Sequence, residues 1–278
     1  MMLAAAGRGG GRALSEAELL RQHPALQVAF GLLFLTGLVA DGWLLWRWAY
    51  TNPPAFRVTP KPWGVHDLLA VTGALILTLM TGMGLLAVVT RHADGAWLLA
   101  GDCVLRTGFL VGLLIFLRRR QATLDWHWTH HGLVAFVAVL PPLAFVGGAL
   151  AKLYDWLRIT PTPQPVTLLF VETKSAGELT LLVVLALVIA PVFEEIFFRG
   201  FAYPALKQRL GPAAAMVLVS AVFAVIHFHA ASALPLFVLA IGLTLAYELT
   251  GSLVAPVTMH VLFNAANVAL LWYARLHP

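Results

Sequence analysis

Glu194, Glu195 and Arg199, then His227, then His260, Asn264 and Asn267, lie inside three apolar runs of a chain with few charges. Ionisable groups at membrane depth are expensive to keep, so each is a functional candidate. On an ideal helix, residues four apart lie about 40° apart in projection. Glu195 and Arg199 can therefore pair along one face, and His260 and Asn264 can project into a common space. Glu194 points about 100° away from Glu195 and about 140° away from Arg199, which leaves its carboxylate free. Each residue also has a structural reading. Glu195 with Arg199 is an ordinary i,i+4 bridge, a lone intramembrane histidine is commonly an interhelical hydrogen-bonding group, and Asn264 can be packing glue. Glu194 resists such a reading, because a second carboxylate beside the pair would be buried without a partner.

A carboxylate and an imidazole sharing one water can take its proton and return it to a leaving amine. A second imidazole beside a carboxamide supplies two donors for the oxyanion of a tetrahedral intermediate. Acid, base and oxyanion donors are what amide hydrolysis needs, with Glu194, His227, His260 and Asn264 as the set. Ser220, Ser232 and Ser252 lie nearby without a nucleophile-elbow pattern, and Cys103 stands in a distant run, so a bound water is the expected nucleophile. One carboxylate and two imidazoles, Glu194, His227 and His260, also make a catalytic zinc set. His-Glu-x-x-His and its inverse are absent, and Asn264 is a poor zinc ligand, so the preferred expectation is no cofactor, with zinc as the alternative.

These side chains need helices that cross a bilayer. Of 278 residues, 60% are apolar and 11% charged, and mean hydropathy is +0.84. That composition excludes an ordinary soluble domain. A hydrocarbon core of roughly 30 Å takes about 20 apolar residues per helix. Eight such runs are predicted, over 26–48, 67–89, 97–117, 132–151, 178–198, 212–228, 234–249 and 252–273. The tryptophans sit at or near run ends, as an aromatic belt requires: Trp43, Trp46, Trp48, Trp63, Trp97, Trp126, Trp128, Trp156 and Trp272. The expected fold is thus all-α and polytopic, with about eight transmembrane helices and a catalytic cavity formed by the last four. Its parts are a disordered or interfacial tail (1–25), four N-terminal helices (26–151), an interfacial or re-entrant connection (152–177) with Pro161, Pro163 and Pro165, and a four-helix catalytic core (178–278). The first 25 residues hold Arg8, Arg12, Glu16, Glu18 and Arg21 without an apolar stretch, so no cleaved signal peptide is expected. Eighteen Lys and Arg against thirteen Asp and Glu give a net +5, but they gather in no patch, so membrane lipids rather than nucleic acid are the expected partners.

Glu194-Glu195-Ile196-Phe197-Phe198-Arg199, Phe223-Ala224-Val225-Ile226-His227 and His260-Val261-Leu262-Phe263-Asn264 resemble the Glu-Glu-x-x-x-Arg, Phe-x-x-x-His and His-x-x-x-Asn motifs of the CPBP family. That family comprises type II CAAX prenyl endopeptidases and bacteriocin-processing or self-immunity proteins. The resemblance implies that Glu194 and His227 activate water and that His260 and Asn264 form the oxyanion hole. It also implies that Glu195 and Arg199 hold the site's shape and that Phe223 packs the His227 ring. The implied substrate is a membrane-associated peptide or protein, prenylated or carrying a leader. The alternative is a non-catalytic scaffold or self-immunity protein using the same buried network. An Arg-rich basic set and compact runs point to a bacterial plasma membrane.

The remaining polar residues are expected to be structural. Asp102 and Arg106 should neutralise one another, and His127, His130 and His131 should lie exposed at the interface. His229 should face away from His227, and Glu248 should reach headgroups from the end of a run.

Overall fold

The computed structural model describes residues 22–50, 57–89, 95–120, 125–127 and 130–276. Most of the expected N-terminal tail, and Trp128, lie outside the described residues. The helices are α1 (Pro24–Tyr50), α2 (Val65–Val89), α3 (Gly95–Arg119), α4 (His131–Leu157), α5 (Pro165–Glu172), α6 (Ala176–Val184), α7 (Ala190–Glu194), α8 (Tyr203–Val225), α9 (Ala230–Thr250) and α10 (Val254–Leu276). Two π-helical segments, π1 (Leu185–Ile189) and π2 (Glu195–Ala202), join α6, α7 and α8 into one continuous helical stretch. No strand occurs among the described residues.

Seven stretches are long and apolar enough to cross a bilayer, and the chain is an integral multi-pass membrane protein. The difference between seven and the expected eight turns on Ala176–Val225, which is two helices bent at Gly211. Gly211 adopts φ 76° and ψ 170°, a backbone state open to glycine and denied to side-chain-bearing residues, and Pro212 then starts the next helix at its fixed φ. Counted on either side of that bend, the eight expected runs are all present. α4 continues six residues past its expected end at 151, because Lys152, Tyr154, Asp155 and Trp156 can stay helical while their polar ends reach the interface.

Burial is graded along the chain. Only 6% of the most apolar window of α1 or α2 is covered by protein, against 39% in Ala176–Val225. The N-terminal helices therefore present Leu, Val and Phe to lipid, while the C-terminal helices enclose most of the core. α4 is the hinge of the packing, touching α1, α9 and α10. It packs closely because glycine lines two crossings: a Cβ on Gly37 would sit 2.4 Å from the Val137 carbonyl, and one on Gly132 2.7 Å from the Ala255 carbonyl.

Candidate functional site

Prolines shape the stretch that carries Glu194 and Glu195. Pro191 and Pro204 have no N–H, and their rings crowd the carbonyls four residues back, at Leu187 and Gly200. A wider turn relieves both problems, and each proline stands at the second residue of the α-helix that follows a π segment. Ala190 N–H bonds back to Leu185 O, and Tyr203 N–H to Phe198 O, each five residues away. In that register the Ala186 carbonyl seeks the N–H of residue 191, which proline lacks. Asn264 on α10 supplies the missing donor, its Nδ2 reaching Ala186 O at 2.8 Å.

π2 begins at Glu195, directly after Glu194, and holds the whole Glu195–Arg199 pair. The pair forms as expected: Arg199 Nη1 donates to Glu195 Oε1 at 2.9 Å, and both side chains are fully buried. Sequence reading did not supply the rest of the arginine's setting. Its Nη2 donates to the Ala240 carbonyl at 3.1 Å and its Nε to Thr244 Oγ1 at 3.4 Å, while its guanidinium lies 4.8 Å from the Phe223 ring centre. Thr244 gives no signal of its own, because a threonine inside a helix commonly bonds its own Ala240 carbonyl, as this one also does at 2.9 Å.

The same carboxylate orients a histidine. His260 Nδ1 lies 2.7 Å from Glu195 Oε1, so the ring donates there and turns Nε2 towards Glu194 Oε2, 3.9 Å away. Glu194 retains limited access, 14% of its side chain against 6% for His260, and is the freer carboxylate that the spacing suggested. His260 and Asn264 share a helix but engage different partners, one in π2 and one in π1.

His227 departs from its expected place inside a run. α8 ends at Val225, and His227 sits in the turn before α9. The following Phe228 has φ 48°, left-handed and uncommon for a residue with a bulky side chain. His227 Nδ1 donates to the Phe223 carbonyl at 2.7 Å, which leaves Nε2 as the ring's open acceptor. Phe223 is fully buried, with ring centres 4.9 Å from His227 and 6.0 Å from His260, so one aromatic wall serves both imidazoles.

Among the other candidates, Asp102 and Arg106 pair at 2.7 Å, and His127, His130 and His131 are exposed. Asn267 Nδ2 donates to its own helix at Phe263 O. Glu248 is a correction. It does not reach headgroups but is fully buried, accepting from Lys207 Nζ at 2.6 Å and from the Val58 N–H at 3.4 Å. The segment at Arg57 and Val58 covers the end of α9, with Arg57 N–H on the Glu248 carbonyl at 2.9 Å, and so shuts that side chain off from the interface.

Residues 176–266 match the family described as type II CAAX prenyl endopeptidase Rce1-like. No curated protein and no solved structure matches the chain. The matched segment contains every motif residue from Glu194 to Asn264, on the end of α7, π2, α8 and the turn after it, and α10. Through that segment, about a third of its length, the chain is similar to the type II CAAX prenyl endopeptidases.

Proposed function

We propose that this protein is an intramembrane endopeptidase that hydrolyses a peptide bond of a membrane-associated substrate, prenylated or carrying a leader, with water activated by Glu194 and His227. The observation that carries the reading is the junction of Glu194 with His260, 3.9 Å apart and backed by the buried Glu195–Arg199 pair. A lone structural pair would not need the second, freer carboxylate.

In this reading the water lies on Glu194, whose carboxylate takes its proton as oxygen attacks the scissile carbonyl. His227 accepts a hydrogen bond at Nε2 and steadies the attacking hydroxyl, its other nitrogen being held by Phe223 O. The oxyanion is met by His260 and by the second amide hydrogen of Asn264, whose first fixes the carboxamide on Ala186 O. His260, held at Nδ1 by Glu195 Oε1, presents its Nε2 edge to the oxyanion from beside Glu194. Glu194 then returns its proton to the leaving amine.

Zinc is the alternative to test against this scheme. Both imidazoles hold Nδ1 on an oxygen, as metal-binding histidines do. Among the described residues, however, no three of His, Cys, Asp and Glu converge closely enough to hold an ion. That geometry fits a metal poorly, and no step here passes through one. One zinc bound per purified chain would overturn the scheme.

The test is turnover of a farnesylated CAAX-type reporter peptide, and of leader-peptide reporters, in proteoliposomes. Wild type should cleave one class, and Glu194→Ala and His227→Ala should fold and lose turnover by about a hundredfold or more. Normal turnover by folded Glu194→Ala refutes the proposal and favours the scaffold or self-immunity reading.

A further inference from the structure

The turn that holds His227 is short, strained and tied from outside. Between α8 and α9 stand only Ile226 to His229, with backbone bonds Ile226 N–H to Val222 O at 3.1 Å, Phe228 N–H to Val225 O at 3.0 Å and Ser232 N–H to His229 O at 3.1 Å. The left-handed φ at Phe228 brings its Cβ too close to the following carbonyl oxygen. The ring does not offset that strain by packing, being 92% exposed. Such a conformation persists only where its surroundings over-determine it.

Those surroundings are a second, non-catalytic histidine and the proline-rich connection before α5. His229 Nε2 lies 2.8 Å from the Thr162 carbonyl, and a carbonyl can only accept, so this nitrogen carries the hydrogen. In the neutral ring Nδ1 is then an acceptor, and Ser232 Oγ lies 2.8 Å from it. Gln164 Nε2 donates to the same hydroxyl at 2.6 Å. The chain of donors is therefore directional: Gln164 N–H to Ser232 Oγ, Ser232 O–H to His229 Nδ1, His229 Nε2–H to Thr162 O. Pro161, Pro163 and Pro165 stiffen the segment that offers Thr162 and Gln164, and Pro165 opens α5.

We infer that His229 is a positioning residue for the reaction: by bridging the Thr162–Gln164 segment to the turn, it fixes the place and tautomer of the His227 imidazole. This rests on the reading of His227 as the group that steadies the attacking water. The Phe223 carbonyl that accepts from His227 is at the end of α8, whereas the His227 backbone is in the turn, so the 2.7 Å bond survives only while turn and helix end keep their spacing. Releasing His229 frees the turn and lets the His227 ring leave that carbonyl.

The experiment uses the full chain in micelles and proteoliposomes, with two readouts. Nitrogen NMR of histidine-labelled protein reports the His227 tautomer, assigned by its loss in His227→Ala. Turnover of the farnesylated reporter, or of the leader reporter if that is the class cleaved, gives kcat and KM. Wild type should show one Nδ1-protonated His227. His229→Ala should average the tautomers and lower kcat by about tenfold to a hundredfold with KM within about twofold, the size of effect that misplacing a group brings. His229→Gln, whose amide can still donate to Thr162 O, should restore both. A wild-type tautomer and kcat in His229→Ala, or no recovery in His229→Gln, overturns the inference. If His229→Ala does not fold, Ser232→Ala decides: it frees the ring to flip and should give partial averaging, and unaltered signals overturn the inference. Normal turnover by His227→Ala would instead fault the catalytic reading, while the NMR arm judges the coupling by itself.

Discussion

Replacing Asn264 by alanine removes the donor that satisfies the Ala186 carbonyl, and the structure states what a second substitution should do about it. The carbonyl is orphaned because, in the wide turn of π1, its backbone partner would be residue 191, a proline. An unsatisfied buried acceptor costs about 1–3 kcal/mol. Asn264 is only half-buried, and interhelical bonds in membrane bundles average about 0.6 kcal/mol and reach about 2. The expected loss for Asn264→Ala is therefore about 1–2 kcal/mol, or roughly 2–8 °C in Tm. Pro191→Ala restores an N–H at the required position. In that background Asn264→Ala should cost only a few tenths of a kcal/mol, giving a coupling energy near 1 kcal/mol in the double-mutant cycle. Reversible unfolding of the four proteins in one detergent measures it. Equal costs in both backgrounds, within about 0.5 kcal/mol, would refute the explanation of the Asn264 bond by Pro191. Turnover should move differently. Without proline the turn can relax to α register, which rotates α7 and Glu194 by about 100° relative to α6, so Pro191→Ala should lose activity even where it stabilises.

Arg199→Lys keeps the charge but not the fork that reaches Glu195, Ala240 O and Thr244 with separate nitrogens; a loss of about 3 kcal/mol is expected, read as lowered yield and Tm. Wild-type stability there would show that the fork geometry contributes little. Glu248→Ala strips the Lys207 ammonium of its carboxylate and should likewise cost about 3 kcal/mol, but turnover per folded molecule should hold, since the pair ties α8 and α9 to the segment at Val58. Lost turnover at full folding would place Glu248 in the reaction.

The helices were legible because bilayer length and apolar composition dominate everything else in this sequence, and the belt of tryptophans marks their ends. The Glu195–Arg199 pair was legible too, since i,i+4 spacing brings the two together even across a π segment. What was hidden depends on partners distant in sequence. Hydropathy cannot show that π1 and π2 interrupt the helix, although Pro191 and Pro204, each set near the middle of a helical stretch, were the available signal. His227 looked like part of a run because Phe223 to Phe228 is apolar around it, whereas the helix gives out two residues earlier. Glu248 read as a surface residue because nothing local reveals that the segment at Val58, 190 positions away, closes over it.

The most direct measurement compares peptide termini in membranes from cells carrying wild type and Glu194→Ala at equal protein levels. The account predicts termini that are present with wild type and absent with the variant, and these would also name the substrate. Identical termini in both, with the variant folded and membrane-inserted, would contradict a catalytic Glu194.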